Sequence, residues 1–193
     1  LLDRQNEDGS WYRTYTKEGS PVFMNEERDS TEEEKNRGRK ASSAIPVPFL
    51  CALAEEYPED RRYEKAAVRA AEYTLSHECR KELYQGGTMD NPNIVDKEAA
   101  QYVMAGLYSL YSLTGKKKYL EGAGTAAKQF VTWNYIWNAP MRTGTILSEK
   151  GFCTKGMGAI NSVWCGGVVD IYSLFHIREL YLTGKETGEE FMK

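Results

Sequence analysis

The sequence lacks a long apolar run and the residue spacings of the common metal and cofactor sites. A membrane-crossing helix needs about 20 consecutive apolar residues, and none of the 193 residues belongs to such a run. Two histidines and four cysteines are present, without CxxC or Cys/His spacing. No P-loop, GxGxxG, HExxH or Ser-His-Asp arrangement occurs. The sequence therefore predicts no membrane partner, no bound metal and no cofactor.

A clustered basic surface is missing as well. Lysine and arginine total 25 against 28 acidic residues, so the formal net charge is -3. The basic residues are scattered apart from 35–40 and 116–118, and both of these segments are polar throughout. Nucleic-acid binding relies on basic side chains gathered on one face. We therefore predict no nucleic-acid partner.

The four cysteines leave the question of a disulfide open. Cys51 and Cys79 lie in helical patterns, where buried free thiols are usual. Cys153 and Cys165 flank a glycine-rich loop. They can form a disulfide or remain free thiols, and their spacing does not decide between the two.

What is present is the composition of a globular domain, with 41% hydrophobic and 27% charged residues. A chain of this length can bury one core and is short for two. Residues 25–40, "NEERDSTEEEKNRGRK", contain almost no apolar side chains. We predict that this segment is a flexible excursion from the domain.

Apolar residues recur at helical spacing in successive pairs of segments. Residues 41–57 contain a helix that begins near Pro46 or Pro48, since proline is tolerated in a first turn. An amphipathic helix follows, and its apolar stripe consists of Tyr63, Ala66, Ala67, Ala70, Ala71 and Thr74. These two segments form the first predicted helical hairpin.

The second pair repeats this layout. Residues 96–113, "DKEAAQYVMAGLYSLYSL", are apolar on nearly every side, which predicts a buried helix. After a "TGKK" turn, a second amphipathic helix carries the stripe Tyr119, Ala123, Ala126, Ala127 and Phe130. Farther on, Trp133 and Trp137 are spaced one helical turn apart, which predicts a shared, core-facing side.

A third pair opens with residues 166–186, "GGVVDIYSLFHIRELYLTGKE", which predict one helix containing both Asp170 and His176. Gly115 and Gly184 follow Leu/Tyr-rich helix ends. Glycine adopts the left-handed conformation of a helix C-cap at little cost. Both are therefore predicted C-caps.

This repeated pattern of buried helix, short turn and amphipathic helix resembles the six-hairpin glycosidase-like superfamily of α/α toroids. The resemblance lies in the segments "QNEDGSWYR" (5–13), "DNPNIVDKEA" (90–99), "LYSLTGKKKYLEGA" (110–123), "FVTWNYIWNAPM" (130–141) and "DIYSLFHIRELYLTGKE" (170–186). It implies an all-α fold in which residues 1–193 are part of one toroid domain, with an incomplete ring of hairpins. We therefore expect a piece of a larger protein, partnered by the remainder of the toroid or by a second copy. Only the resemblance suggests an extracytoplasmic location.

The resemblance also implies a substrate cleft where the inner helices begin. Asp90, Asp96 and Asp170 are the candidate catalytic carboxylates there, and Glu98 is a candidate for substrate contact. Glycoside hydrolysis uses two carboxyl groups, one as acid and one as base or nucleophile. Asp96 is also a good helix N-cap and Asp90 a good turn residue. An aspartate inside the apolar run around Asp170 is costly to bury without a partner.

Aromatic residues supply candidate sugar platforms. Trp11 and Trp164 lie in loops flanked by glycine, and Tyr12 adjoins Trp11. Flat aromatic faces pack on the apolar C–H faces of sugars. His77 and His176 are interpreted as structural.

The sequence therefore favours a carbohydrate-processing, glycoside-hydrolase-like protein that acts through paired carboxylates. The alternative is a non-catalytic glycan-binding or interaction module on the same fold. Two carboxyl groups about 5–9.5 Å apart in one open cleft favour the hydrolase. Carboxylates that all serve as caps and surface ion pairs favour the module.

Overall fold

The computed structural model describes residues 1–23, 31–87, 93–159 and 169–192. Helices dominate these ranges: α1 (Glu32–Arg39), α2 (Val47–Glu56), α3 (Arg62–Thr74), α4 (Lys97–Thr114), α5 (Lys117–Val131), α6 (Ile146–Glu149) and α7 (Ile177–Thr187). The regular strands in the same ranges are the two-residue β1 (Gly158–Ala159) and β2 (Val169–Asp170), which pair antiparallel. The predicted all-α class is confirmed.

The first hairpin forms where the sequence predicted it. Helix α2 begins directly after Pro46, so no hydrogen bond in the helix interior is lost to that proline. Helix α3 buries the predicted alanine stripe and Thr74. A single π-helical turn, Leu75–Cys79, continues α3 toward the second hairpin.

Helix α4 is the centre of the core. It begins after the N-cap Asp96 and ends at Gly115, whose φ of 67° is left-handed. Helix α5 returns along it with the predicted stripe buried. Their contact is close because Gly122 has no side chain; a Cβ there would lie 2.8 Å from Cδ1 of Leu107. The N-cap and the Gly115 C-cap are both confirmed.

Helices α2, α4 and α7 run in the same direction. Gly106 in α4 lies against Ala44, just before α2, while Ala54 near the end of α2 and Leu113 near the end of α4 border one surface concavity. From α4 to the α7 region, Gln101 contacts Tyr172, and Tyr111 farther along contacts Glu186. In both pairs of helices, residues later in one helix contact residues later in the other, so the helices are parallel.

The prediction of a third helix over residues 166–186 is wrong in its first half. Asp170 lies in β2, opposite Gly158, and a 3₁₀ turn Ile171–Leu174 follows before α7 begins at Ile177. The predicted C-cap at Gly184 is also wrong. Gly184 is buried inside α7, where a Cβ would lie 2.5 Å from Cβ of Met192, and the cap is Gly188 with a φ of 80°.

The prediction for Trp133 and Trp137 is wrong too. Helix α5 ends at Val131, so the two residues do not share a helix face. The carbonyl of Trp133 accepts a hydrogen bond from the amide of Ala159 (2.9 Å), which closes the base of a long loop. Trp137 lies on that loop and is 59% exposed rather than packed in the core.

Part of the predicted flexible excursion is helical. Residues 25–30 lie outside the described ranges, but α1 forms with a capping box in which Thr31 and Glu34 bond reciprocally. Charged contacts hold α1 on the rest of the chain: Lys81 pairs with Glu33 (2.7 Å), and Arg37 donates to Gln85 Oε1 (3.1 Å). The segment is attached through polar contacts, which a count of apolar residues does not reveal.

Three cysteines carry free thiols: Cys51 is buried, Cys79 half-buried and Cys153 exposed. Cys165 lies outside the described ranges. Among the helices that are described, none combines the length and apolar character that a bilayer span requires.

Candidate functional site: an aromatic pocket beside α2 and α4

A pocket of about 570 Å³ opens where three chain segments meet. The segments are residues 11–15, the turn before α2 and the glycine pair 86–87 before α4, with Arg4 and Gly19 at the edge. These segments are far apart in the sequence. Hydrogen bonds from Trp11 to Ser43 and from Ser42 to Gly86 join them in the folded chain.

Trp11 forms a fixed part of the pocket wall. Its indole Nε1 donates to the carbonyl of Leu1 (3.0 Å), and its main-chain amide donates to Oγ of Ser43 (3.1 Å). Only 5% of the residue is exposed. A residue held in this way is a rigid part of the wall, and little of its own surface is open to a ligand.

Tyr12 extends the aromatic surface away from Trp11. The half-buried ring lies 5.3 Å from that of Phe23 and 6.2 Å from that of Tyr15, measured between ring centroids. The main-chain amide of Tyr12 donates to the hydroxyl of Tyr15 (2.9 Å). The aromatic side of the pocket is therefore a cluster whose members position one another.

The turn before α2 carries a strained backbone position. Ser42 has a φ of 65°, which side chains other than glycine, asparagine and aspartate seldom adopt. Its Oγ donates to the carbonyl of Gly86 (2.9 Å) and so joins the turn before α2 to the loop before α4. Such strain is stored where the surrounding structure holds it, often at binding sites.

Asp96 lies directly behind the glycine wall. Its carboxylate accepts from the amide of Gly87 (2.8 Å) and from the amide of Ala99 (2.7 Å). A side chain on Gly87 would overlap both Asp96 and Ala99, so glycine is required for this close approach. Asp96 has no exposed surface, and Gly87 separates it from the pocket. Its role is to cap α4 and hold the pocket wall.

Glu78 is buried near Asp96, in the π-helical turn. The residue is 4% exposed, and among the described residues neither carboxylate oxygen has a hydrogen-bond partner. Burial, and then the nearby charge of Asp96, raise the pKa of Glu78 to about 8. The sequence held a signal for this position, because Glu78 continues the buried stripe of α3 four residues after Thr74.

Two of the four predicted substrate-binding residues line the pocket. Trp11 and Tyr12 line the pocket. Glu98 is half-buried in the first turn of α4 and is not among the lining residues. Trp164 lies outside the described residues.

Of the three predicted catalytic carboxylates, Asp96 is the one whose side chain the structure describes. Asp90 lies outside the described residues, three positions after Gly87 of the pocket wall. Asp170 is described only through its backbone in β2, which ends two residues before Tyr172. The carbonyl of Tyr172 accepts a hydrogen bond from Gln101 of α4 (2.9 Å). The pocket wall and β2 thus flank the same end of α4.

Sequence reasoning missed the polar part of the pocket. Arg4, Arg13, Ser42 and Ser43 all line it, and no aspartate or glutamate does so among the described residues. No local pattern marks these four residues. Over the described ranges, no group of three or more His, Cys, Asp and Glu residues is arranged to hold a metal ion.

A second, polar cleft of about 360 Å³ lies between α1 and the end of α3. Its charges neutralise one another, as in the Lys81–Glu33 pair (2.7 Å). His77 there stacks on Tyr73, with ring centroids 4.2 Å apart. This cleft offers a ligand neither an apolar wall nor an unbalanced charge.

Comparison of the chain with protein-family models, with curated proteins and with solved structures finds no match.

Proposed function

We propose that the protein binds a carbohydrate in the pocket beside Trp11. The observation that carries this proposal is the composition of the lining, where the aromatic residues Trp11, Tyr12 and Tyr15 accompany polar residues such as Arg4 and Thr14. Sugar rings combine apolar C–H faces with hydroxyls that need hydrogen-bond partners. A rigid aromatic wall with adjacent polar atoms suits both requirements.

The helix arrangement supports a further proposal, that this pocket belongs to an α/α toroid of the six-hairpin glycosidase-like kind. Helices α2, α4 and α7 run in one direction, while α3 packs on both α2 and α4, and α5 packs on both α4 and α7. In a toroid the inner helices share one direction and start around a common cleft. The pocket lies at the starts of α2 and α4.

Glycoside hydrolysis is the activity we propose for the complete site, with Asp90 and Asp170 as the candidate carboxyl pair. Asp90 follows the pocket wall in the chain, and the backbone of Asp170 flanks the same end of α4. One carboxyl would protonate the leaving oxygen while the other acts as base or nucleophile. Asp96 is a poorer candidate, because its oxygens are hydrogen-bonded to main-chain amides behind the wall.

The alternative is a non-catalytic glycan-binding module. It is favoured by the structural use of carboxylates near the described pocket. Asp96 is an N-cap, and Asp8 accepts from Ser10 and pairs with Lys40 (2.6 Å). Neither carboxylate is available to protonate a glycosidic oxygen.

Calorimetric titration with a panel of oligosaccharides tests the binding proposal. We expect the Tyr12→Ala variant to bind its best ligand about tenfold more weakly, because an aromatic contact is lost. Tyr57→Ala is the matched control, since Tyr57 is 47% exposed in the turn after α2 and outside the pocket. Equal affinities for the two variants would contradict the assignment of the pocket.

Product analysis with the same oligosaccharides separates the hydrolase from the module. We expect Asp90→Asn and Asp170→Asn to retain binding and to lose hydrolysis by about a hundredfold to ten-thousandfold each, the contribution of a catalytic acid or base. Binding without any cleavage by the unaltered protein would instead establish the non-catalytic alternative.

A further inference from the structure

We propose that Trp137 provides a second saccharide-binding surface outside the pocket, and that the ligand is therefore a polysaccharide chain rather than a short oligosaccharide. This inference rests on the proposed carbohydrate binding and names the class of saccharide. Trp137 lies on the long loop formed by residues 134–157, and it is not among the residues that line the pocket beside Trp11. The residue is 59% exposed.

The loop fixes the backbone of Trp137 without burying its side chain. The hydroxyl of the buried Thr154 donates to the carbonyl of Trp137 (3.0 Å) and accepts from the amide of Ala139 (2.8 Å). Nearer the base of the loop, the amide of Tyr135 donates to the carbonyl of Met157 (2.9 Å). An exposed ring on a fixed backbone presents a surface to a ligand and loses little freedom on binding.

Trp137 and Tyr135 form an aromatic corner. Their ring centroids lie 6.1 Å apart, and the ring planes cross at 88°. Asn138, which is exposed and next in the chain, accepts at Oδ1 from the amide of Lys155 (3.1 Å), while its Nδ2 donates to no group in the described ranges. A flat ring face beside a carboxamide donor suits the C–H faces and the hydroxyls of a sugar chain.

The loop leaves the helices at the end where the pocket lies. Its base closes between the amide of Ala159 and the carbonyl of Trp133 (2.9 Å), and Ala159 of β1 pairs with Val169 of β2. The carbonyl of Tyr172, two residues after β2, accepts from Gln101 in the second turn of α4 (2.9 Å). The glycine pair of the pocket wall precedes the same end of α4. A saccharide longer than the pocket can continue across this end of the helices toward the loop.

The other candidate occupant of this surface is a protein partner. Ile136 is 78% exposed beside Trp137, and a protein contact would use both side chains, since each contributes apolar area. A sugar ring packs on a flat aromatic face, which isoleucine lacks. The crossed rings and the adjacent carboxamide favour the saccharide, and Ile136 supplies a control that separates the two occupants.

The test compares long and short ligands of the same sugars. Affinity electrophoresis in gels that contain hydroxyethylcellulose, xylan, arabinan or soluble starch measures polysaccharide binding. Calorimetric titration with cellotriose, xylotriose, arabinotriose and maltotriose measures binding to the pocket. We expect Trp137→Ala to bind the preferred polysaccharide about tenfold more weakly and the matching trisaccharide as tightly as the unaltered protein does. Trp137→Phe should keep most of the polysaccharide affinity, because it keeps an aromatic face.

Two further variants locate the effect. Ile136→Ala is the matched control on the same loop and should change neither affinity. Tyr12→Ala alters the pocket and should weaken binding of both the trisaccharide and the polysaccharide. The thermal unfolding midpoint of each variant shows that it is folded.

Several results would overturn the inference while the proposed pocket stands. They are equal polysaccharide affinity for Trp137→Ala and the unaltered protein, trisaccharide binding without retention in any gel, and equal losses for Ile136→Ala and Trp137→Ala. Absence of binding for all four polysaccharides and all four trisaccharides, with the unaltered protein folded, would refute the proposed function as well.

Discussion

Glu78 shows how one buried side chain couples the core to pH. It is enclosed between the end of α3 and the N-cap of α4, and the titratable groups that face it are Asp96, Tyr73, Tyr84 and Cys79. Burial and the Asp96 carboxylate raise its pKa from 4.5 to about 8. At neutral pH, Glu78 therefore keeps a proton in the folded protein that it loses in the unfolded chain.

This difference predicts that stability falls as pH rises from about 4.5 to 8, because the folded state binds more protons than the unfolded state in that window. The expected slope is on the order of 1 kcal/mol per pH unit, and it ends once both states are ionised. Urea unfolding across this range should show the decline in the unaltered protein. The Glu78→Gln variant should not show it, because glutamine does not titrate.

Exposed Glu56 provides the control for that experiment, since Glu56→Gln changes the same chemistry at the surface of α2. It should retain the slope of the unaltered protein. A slope that persists in Glu78→Gln would show that another group binds the proton.

Asp96 joins the start of α4 to the pocket wall. Replacement by alanine leaves the amides of Gly87 and Ala99 without their acceptor. We expect Asp96→Ala to lower the free energy of unfolding by about 2–4 kcal/mol, measured by chemical denaturation. It should also end the decline of stability at a lower pH, since it removes a negative charge that raises the pKa of Glu78.

Thr145 is the comparison, as it caps only the short and exposed α6, at 3.4 Å from the amide of Ser148. We expect Thr145→Ala to cost less than about 1 kcal/mol. Equal losses for the two caps would mean that Asp96 does not hold the wall.

At the scale of elements, the packing of α2 against α4 depends on Gly106. A Cβ at this position would lie 2.8 Å from the carbonyl oxygen of Ala44, a main-chain atom that cannot turn aside. Gly124 in α5 is the matched glycine, because a Cβ there would meet only a methyl group of Thr187, at 3.4 Å.

We therefore expect Gly106→Ala to destabilise the protein by about 1–3 kcal/mol, as overpacking does. Gly124→Ala should be neutral or stabilise it by up to about 1 kcal/mol, because alanine is the better helix former. Thermal unfolding measures both. Similar shifts for the two variants would refute the described contact between α2 and α4.

At the scale of the whole molecule, the region around the start of α7 presents a large apolar surface. Leu174 and Phe175 are 66% and 67% exposed, and Ile177 and Tyr181 are about half exposed. Contiguous surfaces of this kind usually mark a contact site. We propose that the remainder of the proposed toroid or a second copy of the chain covers this surface.

We expect this chain to self-associate through that surface, and sedimentation equilibrium to show the association. Phe175→Asp should weaken it at least about tenfold, because a charge would be buried in the contact. Ile146→Asp is the control, since Ile146 is 69% exposed on α6. Loss of association in the control alone would place the contact on α6.

Much of the helical framework could be predicted from the sequence. The Pro46 start of α2, the Asp96 N-cap and the Gly115 C-cap arise from interactions within one turn of chain. The alanine stripe of α3 follows from helical periodicity. These features are local, so adjacent residues carry the information for them.

Contacts between segments far apart in the chain decided where α7 ends and whether Trp137 is buried. Gly184 stays helical because Met192 packs against it, and the cap moves to Gly188. Trp137 is exposed because the chain leaves α5 at Val131 and forms a long loop. Neither outcome is encoded in helical spacing.

The candidate site also has a part that the sequence predicted and a part that only the folded structure shows. Trp11 and Tyr12 were predicted from their aromatic character and their place in a glycine-flanked loop. Their meeting with Arg4 and with the Gly87 wall was not, because that pocket exists only where segments far apart in the chain meet. The sequence by itself determined the helices and their caps through contacts within a turn or two. Only tertiary packing decided the pocket and the burial of Glu78, since each depends on segments far apart in the chain.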